Sequence, residues 1–315
     1  METQESQAIG QKGTAVVVAG TFWHSRQLQA DLSLLLVTAI WGTTFVLVKE
    51  ATQTLPPLTL IALRFTTGFI ALALVFHKRL RRATRQDVFA GLLIAFFLGS
   101  GFVAQTFGLQ TTAASVAAFI TGLNTVIVPV FAFLLLRHRP SRNVVLGVAL
   151  ATGGMALLTL QDDLSVSQGD LLVVMCAFFF ALHIVAVGKN APCRDTTVLA
   201  VIQVGGVAAA AWPLALLVEH PTFVAPPEVW GSILFLGVVA TGLVFLIQNV
   251  AQRFTSPTHT ALIFTMEPVF AAVFAYLWLG EIISGRSLLG AGLILVGMIV
   301  AELRRGQGQT ADTPS

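Results

Sequence analysis

The chain has 315 residues, 56% of them hydrophobic and only 10% charged, with a mean hydropathy of +0.84 and a formal net charge of +3. About a quarter of the residues of a soluble domain are charged, because its surface faces water; 18 Lys and Arg with 15 Asp and Glu cannot cover a globular surface of this size. Disorder and a disulfide scaffold are excluded too, since the chain is apolar and its two cysteines, Cys176 and Cys193, read as unpaired thiols.

Crossing the hydrocarbon core takes about 20 mostly apolar residues. Ten such runs follow one another, at 32–50, 57–77, 88–108, 113–136, 143–160, 169–188, 196–218, 229–251, 258–279 and 286–303. They are long and continuous, as helices are, and lack the ten-residue alternation of barrel strands. Short polar or proline-bearing breaks part them, such as Leu55-Pro56-Pro57, the basic stretch from His77 to Arg85, and Arg139-Pro140-Ser141-Arg142. The sequence therefore predicts an all-α polytopic membrane protein of ten transmembrane helices. Residues 1–30 and 304–315 are polar and read as tails, with no convincing signal peptide at the start.

Charge tests that count. With both termini placed on one side, 15 of the 18 Lys and Arg fall in the tails and in the loops after the even-numbered spans. Lys49 and Arg286 fall on the other side, and Arg64 lies inside the second span. By the positive-inside rule both termini are cytoplasmic, in the cell inner membrane. The basic excess is thus a topology signal, and nucleic acid is not expected as a partner.

The sequence repeats itself. A shift of 143 residues lays the third to fifth spans on the eighth to tenth, with 17 identities over the 56 positions from Phe102 to Leu157. Phe102 and Gln105 meet Phe245 and Gln248, and Gly147 and Gly154 meet Gly290 and Gly297. A shift of 139 brings Asp31 onto Asp170, Trp41-Gly42 onto Phe180-Ala181 and Arg64 onto Gln203. Each copy holds five spans, an odd number, so the second enters the bilayer inverted. Inverted repeats around a midplane site are the architecture of secondary transporters.

Trp41-Gly42 in the first span, with Met266-Glu267-Pro268-Val-Phe-Ala-Ala and Trp278-Leu-Gly-Glu281 along the ninth, resemble the EamA family of the drug/metabolite transporter superfamily. The resemblance covers nearly the whole apolar region. It implies two EamA repeats, 31–163 and 169–303, cytoplasmic termini, and export of amino acids or related metabolites. Asn124-Thr125 stands in the first repeat where Glu267-Pro268 stands in the second, so the acidic position is not duplicated.

Polar groups inside apolar spans are costly and are functional candidates by default. Glu267 lies near mid-bilayer, as a candidate for proton coupling, for contact with a substrate amine, or for a structural pair with Arg64. Arg64 in turn is a candidate clamp for a substrate carboxylate or a helix anchor. Thr260, Phe264, Glu267 and Ala271 share one face of the ninth helix, and Ala117, Thr121, Asn124 and Val128 the matching face of the fourth. These faces, with Trp41, Gln105, His183, Gln203 and Gln248, are expected to line a central cavity; the alternative for each is interhelical packing. Pro129 and Pro268 remove backbone donors inside the fourth and ninth spans and are candidate hinges.

Four-residue spacings of small residues, Gly91, Ala95 and Gly99, and Gly147 and Ala151, are read as close helix packing. A P-loop, HExxH, CxxC and GxSxG are all absent from the sequence, so neither ATP nor a metal or other cofactor is expected, and a monomer is preferred to an oligomer. The reading is a secondary transporter of small metabolites, an amino-acid exporter before all, working by alternating access. Exporters of cationic drugs or nucleobases are the alternatives within the fold. A channel, a sensor scaffold and an intramembrane enzyme are the alternatives outside it.

Overall fold

The computed structural model describes residues 26–112, 114–137, 139–159, 167–221, 223, 225–279 and 285–302. The tail up to residue 25, the C-terminal segment from 303 and Glu281 lie outside the described residues. Among those described, the secondary structure is helical. The helices are α1 (Arg26–Ala51), α2 (Pro57–Leu80), α3 (Arg85–Gly108), α4 (Ala114–Gly122 and Asn124–Leu136), α5 (Arg142–Thr159) and α6 (Gln168–Asn190). They continue with α7 (Thr196–Val218), α8 (Pro227–Ala251), α9 (Pro257–Phe264 and Glu267–Leu279) and α10 (Gly285–Glu302). Residues 26–30, read as tail, belong to the first helix, and α2 runs on to Leu80 past a bend at Phe76 rather than ending at His77.

Local chemistry sets the starts. Thr84 with Asp87, and Ser167 with Asp170, form reciprocal capping boxes that satisfy the first N–H groups of α3 and α6. Asp195 and Ser256 cap α7 and α9. The start of α2 at Pro57 is capped from afar: Glu219, just past α7, accepts hydrogen bonds from the Leu58 and Thr59 N–H groups at 2.8 and 2.9 Å. At the other end of the same pair Arg79 reaches Asp195 (3.7 Å) and Thr197 (3.3 Å) at the start of α7.

Seven of the described helices are long and apolar enough to cross a bilayer. α5 and α10 have 18 residues each, about 27 Å at 1.5 Å per residue, and α9 is divided into two pieces. Burial runs opposite to that of a soluble protein. Leu28, Leu32 and Leu36 form an exposed stripe on α1, and Phe89 and Phe96 project from α3, as lipid-facing side chains do, while Arg64, Asn124, His183, Gln203, Gln248, Asn249 and Gln252 are buried.

The two repeats are related by a pseudo-twofold. A Cβ on Gly147 would lie 2.5 Å from the carbonyl oxygen of Gly297, and one on Gly154 would lie 2.5 Å from that of Gly290. Gly147 and Gly290 are repeat mates, as are Gly154 and Gly297, so each contact is the other with the copies exchanged. The Glu219 and Arg79 ties likewise join the end of one of α2 and α7 to the start of the other, through residues one position off exact repeat equivalence. Phe102 touches its own mate Phe245, with ring centroids 6.1 Å apart, which puts the axis beside that pair. The small residues read as packing motifs are used within the chain: Gly147 and Ala151 against α10, and Gly91 against Ile202 of α7.

The copies are not identical. α4 breaks at Leu123 and α9 at Thr265–Met266, equivalent positions in the repeat. α1 has a turn at Thr43 while its mate α6 runs unbroken, and α8 contains a π-helical stretch, Phe235–Leu243, where its mate α3 is regular.

Candidate functional site

The helix breaks meet at one chamber, and the π stretch holds two of its wall residues, Trp41 and Arg64. It holds about 510 Å³ of space free of protein atoms, part of it open to solvent, and is lined from α1 to α4, α6, α8 and α9. Trp41, Arg64, Gln105, Thr121, Asn124, His183, Gln248, Phe264 and Glu267 all line it. Gln203 does not: it lies behind the wall, fully buried, with its Oε1 3.0 Å from His183 Nε2. As the repeat mate of Arg64, it serves a wall residue instead of facing the space.

The broken helices explain why the expected faces reach the chamber only in part. Helical spacing carries one face through a continuous helix, but the turns at Leu123 and at Thr265–Met266 re-aim the flanking segments. Ala117, Val128 and Thr260 are accordingly fully buried in packing, and the middle of each face, Thr121 with Asn124 and Phe264 with Glu267, is what lines the space. Asn124 and Glu267 are each the first residue of a second half-helix. Pro268 follows the α9 break directly, whereas Pro129 sits inside the continuous Asn124–Leu136 segment. The shared break position therefore belongs to the repeat and is not set by the prolines, which are not repeat mates.

Gly42 makes the α1 contact possible. A Cβ there would lie 2.9 Å from the Ala271 N and 3.2 Å from the Glu267 carbonyl oxygen, so the Trp41-Gly42 pair seats α1 directly on the α9 break. Trp41 borders the three largest apolar clusters, packs edge-on to Phe264 at 5.1 Å, and donates from Nε1 to the Ala240 carbonyl of α8 at 3.1 Å.

That carbonyl belongs to the π stretch and is shared. Arg64 donates from Nη2 to it at 3.4 Å and from Nε to Thr241 Oγ1 at 2.6 Å, and Thr241 Oγ1 donates to the Leu236 carbonyl at 2.7 Å. The guanidinium carbon lies 4.6 Å from the centre of the Phe102 ring. A buried cation needs such partners, because desolvation outweighs Coulomb attraction unless its donors are met. Arg64 and Glu267 form no ion pair, so the structural pairing considered from the sequence is not realised; α8 holds the arginine instead. α2 packs directly on the π stretch: a Cβ on Gly68 would lie 2.6 Å from the Gly237 carbonyl oxygen.

On the opposite wall Gln105 donates to Thr121 Oγ1 at 3.3 Å. Gln248 donates to Gln252 Oε1 at 3.0 Å, and Gln252 donates to the Ile184 carbonyl at 3.0 Å. Gln248 Oε1 and Asn124 Oδ1 are buried without a partner, and the Glu267 side chain is partly exposed within the chamber. Sequence reading missed most of the aromatic wall, namely Phe45, Phe102, Phe180 and Phe245. Its signal was present: Phe102 and Phe245 precede Gln105 and Gln248 by three residues, one helical turn, on the same face. Among the described residues no group of three or more His, Cys, Asp or Glu is placed to hold a metal ion. Cys176 is buried and Cys193 exposed, each unpaired.

A multi-pass bundle of two inverted five-helix repeats around a central polar chamber defines the class of a membrane-transporter scaffold. The chain belongs to the EamA-like transporter family, which it matches over residues 28–160 and 167–302. It is 33% identical over 279 residues to an uncharacterized transporter of Archaeoglobus fulgidus, covering 89% of this chain and 87% of that one. It is 27% identical to a probable amino-acid metabolite efflux pump of Salmonella typhimurium, covering 84% of this chain and 92% of that one. A solved crystal structure superposes with a TM-score of 0.73 at 20% identity, over 87% of this chain and 98% of that one, and so shares the fold.

Proposed function

We propose that this EamA-type membrane transporter exports small amphipathic metabolites, amino acids foremost, across the cell inner membrane by alternating access. The observation that carries the reading is the position of the chamber: it lies beside the pseudo-twofold axis, between two helix breaks that are equivalent in the repeats. Exchanging the conformations of the two copies would open it to one face and then the other. The Salmonella relative's name supports amino-acid metabolites as cargo. In this reading residues 31–163 and 169–303 are the moving halves, both termini are cytoplasmic, the protein acts as a monomer, and Glu267 couples cargo to protons.

The test is counterflow in liposomes with a panel of amino acids, nucleobases and cationic drugs. Saturable exchange of amino acids is expected; flux that neither saturates nor exchanges would indicate a pore. Glu267→Gln is expected to abolish the pH dependence of transport, and transport unchanged at every pH removes Glu267 from the coupling. Cysteines introduced into the two tails are expected to be labelled from the cytoplasmic side alone.

A further inference from the structure

Resting on that transporter reading, we propose that the chamber selects its cargo by a primary ammonium group, so that amines lacking an α-carboxylate are carried on equal terms with amino acids. Gln252 must present its Nε2 to the Ile184 carbonyl, which has no proton to give, so its Oε1 faces Gln248. Gln248 must then donate its own Nε2 there, and its Oε1 is left without a donor on a side chain that lines the chamber. Asn124 Oδ1 is buried and unpartnered in the same lining. The third acceptor is the carboxyl of Glu267, which makes no ion pair or hydrogen bond among the described residues and is partly exposed to the space.

Three acceptors without donors, one of them acidic, form the complement of a primary ammonium, which brings three N–H donors and one positive charge. Leaving a buried acceptor unmet is costly, so a ligand that supplies the donors is favoured by more than a new contact alone would give. Trp41 and Phe264, packed edge to face on the same wall, add ring surface suited to a cation and to an apolar tail.

The other end of an amino acid finds less. A carboxylate is clamped by paired N–H groups of a guanidinium fork. In Arg64 the Nε–H is bound to Thr241, one Nη2–H to the Ala240 carbonyl, and the ring of Phe102 lies against the guanidinium. The side-on edge of the fork is therefore taken by α8, and what is left for a carboxylate is the end-on edge, Nη1 with the second Nη2–H, one two-point contact against three acceptors for the amine. Recognition rests on the amine.

The experiment measures equilibrium binding of radiolabelled phenethylamine to the full chain in lipid nanodiscs, with phenylalanine and 3-phenylpropionate as competitors, and counterflow in liposomes separately. Phenethylamine and phenylalanine are expected to bind within about threefold of each other and 3-phenylpropionate about tenfold or more weakly, a factor worth one charged hydrogen bond. Glu267→Gln should weaken both amines about tenfold. Asn124→Asp, which adds an anionic acceptor without changing shape, should tighten phenethylamine, a gain that misfolding cannot produce.

Competition by 3-phenylpropionate equal to that of phenylalanine, failure of phenethylamine to bind, or no change of affinity in Asn124→Asp overturns the proposal. Amine binding without counterflow of any compound leaves the ammonium site standing and overturns the transporter reading. Counterflow confined to compounds without an amine does the reverse.

Discussion

The α5–α10 pair and the chamber between α4 and α9 are both places where the two repeats meet, and they meet in opposite ways. At α5–α10 the backbones touch: glycines at 147, 154, 290 and 297 leave no room for a side chain between the helices. At the chamber the helices are broken, the side chains are large and polar, and space remains. Without a hydrophobic drive between helices in lipid, close backbone packing is what fixes a pair of helices. Around the chamber such close approaches are local: Gly42 meets the α9 break, and Gly68 meets Gly237 where α2 crosses α8. Under the proposed alternating access, the α5–α10 pair would hold the halves together and the chamber would change shape.

Four substitutions break or sharpen that contrast. The largest effect is expected at Gly154→Leu, whose Cβ would meet the Gly290 carbonyl at 2.5 Å and the Ile294 N at 2.9 Å, backbone atoms that cannot rotate away. A loss of about 3 kcal/mol or more is expected, read as a collapse of monodisperse yield and thermal transition in detergent. A folded and active Gly154→Leu protein would remove the structural role of the seam. Gly42→Val comes next. It presses α1 off the α9 break, so transport should be lost at a stability cost of about 1–3 kcal/mol, with folded protein still recovered.

Thr241→Val is third. It leaves the Arg64 Nε–H without its acceptor at a cost of about 1–2 kcal/mol, and should disturb transport kinetics while Thr241→Ser restores them. If Val and Ser behave alike in flux assays, the hydroxyl is not what positions the arginine. The smallest effect belongs to Arg79→Ala. Its 3.7 Å pair with Asp195 is 60% and 41% exposed, and such pairs contribute about 0.5 kcal/mol or less, so neither the thermal transition nor flux should move measurably.

Much of this was legible in the sequence. Apolar run length located the spans, because span length is set by bilayer thickness, and the identities at Gln105/Gln248 and Gly147/Gly290 exposed the repeat. Nine of the ten expected lining residues face the chamber, since a polar group in an apolar span has few other places to go. Gln203 went astray because repeat equivalence predicts position in the helix, not orientation once one copy has been remodelled. The π stretch at Phe235–Leu243 was illegible for a related reason: widening one turn leaves composition and hydropathy unchanged. The broken helices hid in the same way, and the prolines that advertised them mark one break and miss the other.

Thr125, two residues past the α4 break, donates its hydroxyl to the Ala261 carbonyl of α9 at 2.9 Å. That carbonyl is available because Thr265 N–H, which would take it in an unbroken helix, bonds to Leu262 instead at 3.1 Å. Were α9 to straighten, Thr265 N–H would come to share that oxygen, whose two lone pairs can accept both donors, and the angle at which the Thr125 hydroxyl approaches would have to change. A single oxygen atom, freed by the bend of α9, thus fastens the second half of α4 to its repeat mate.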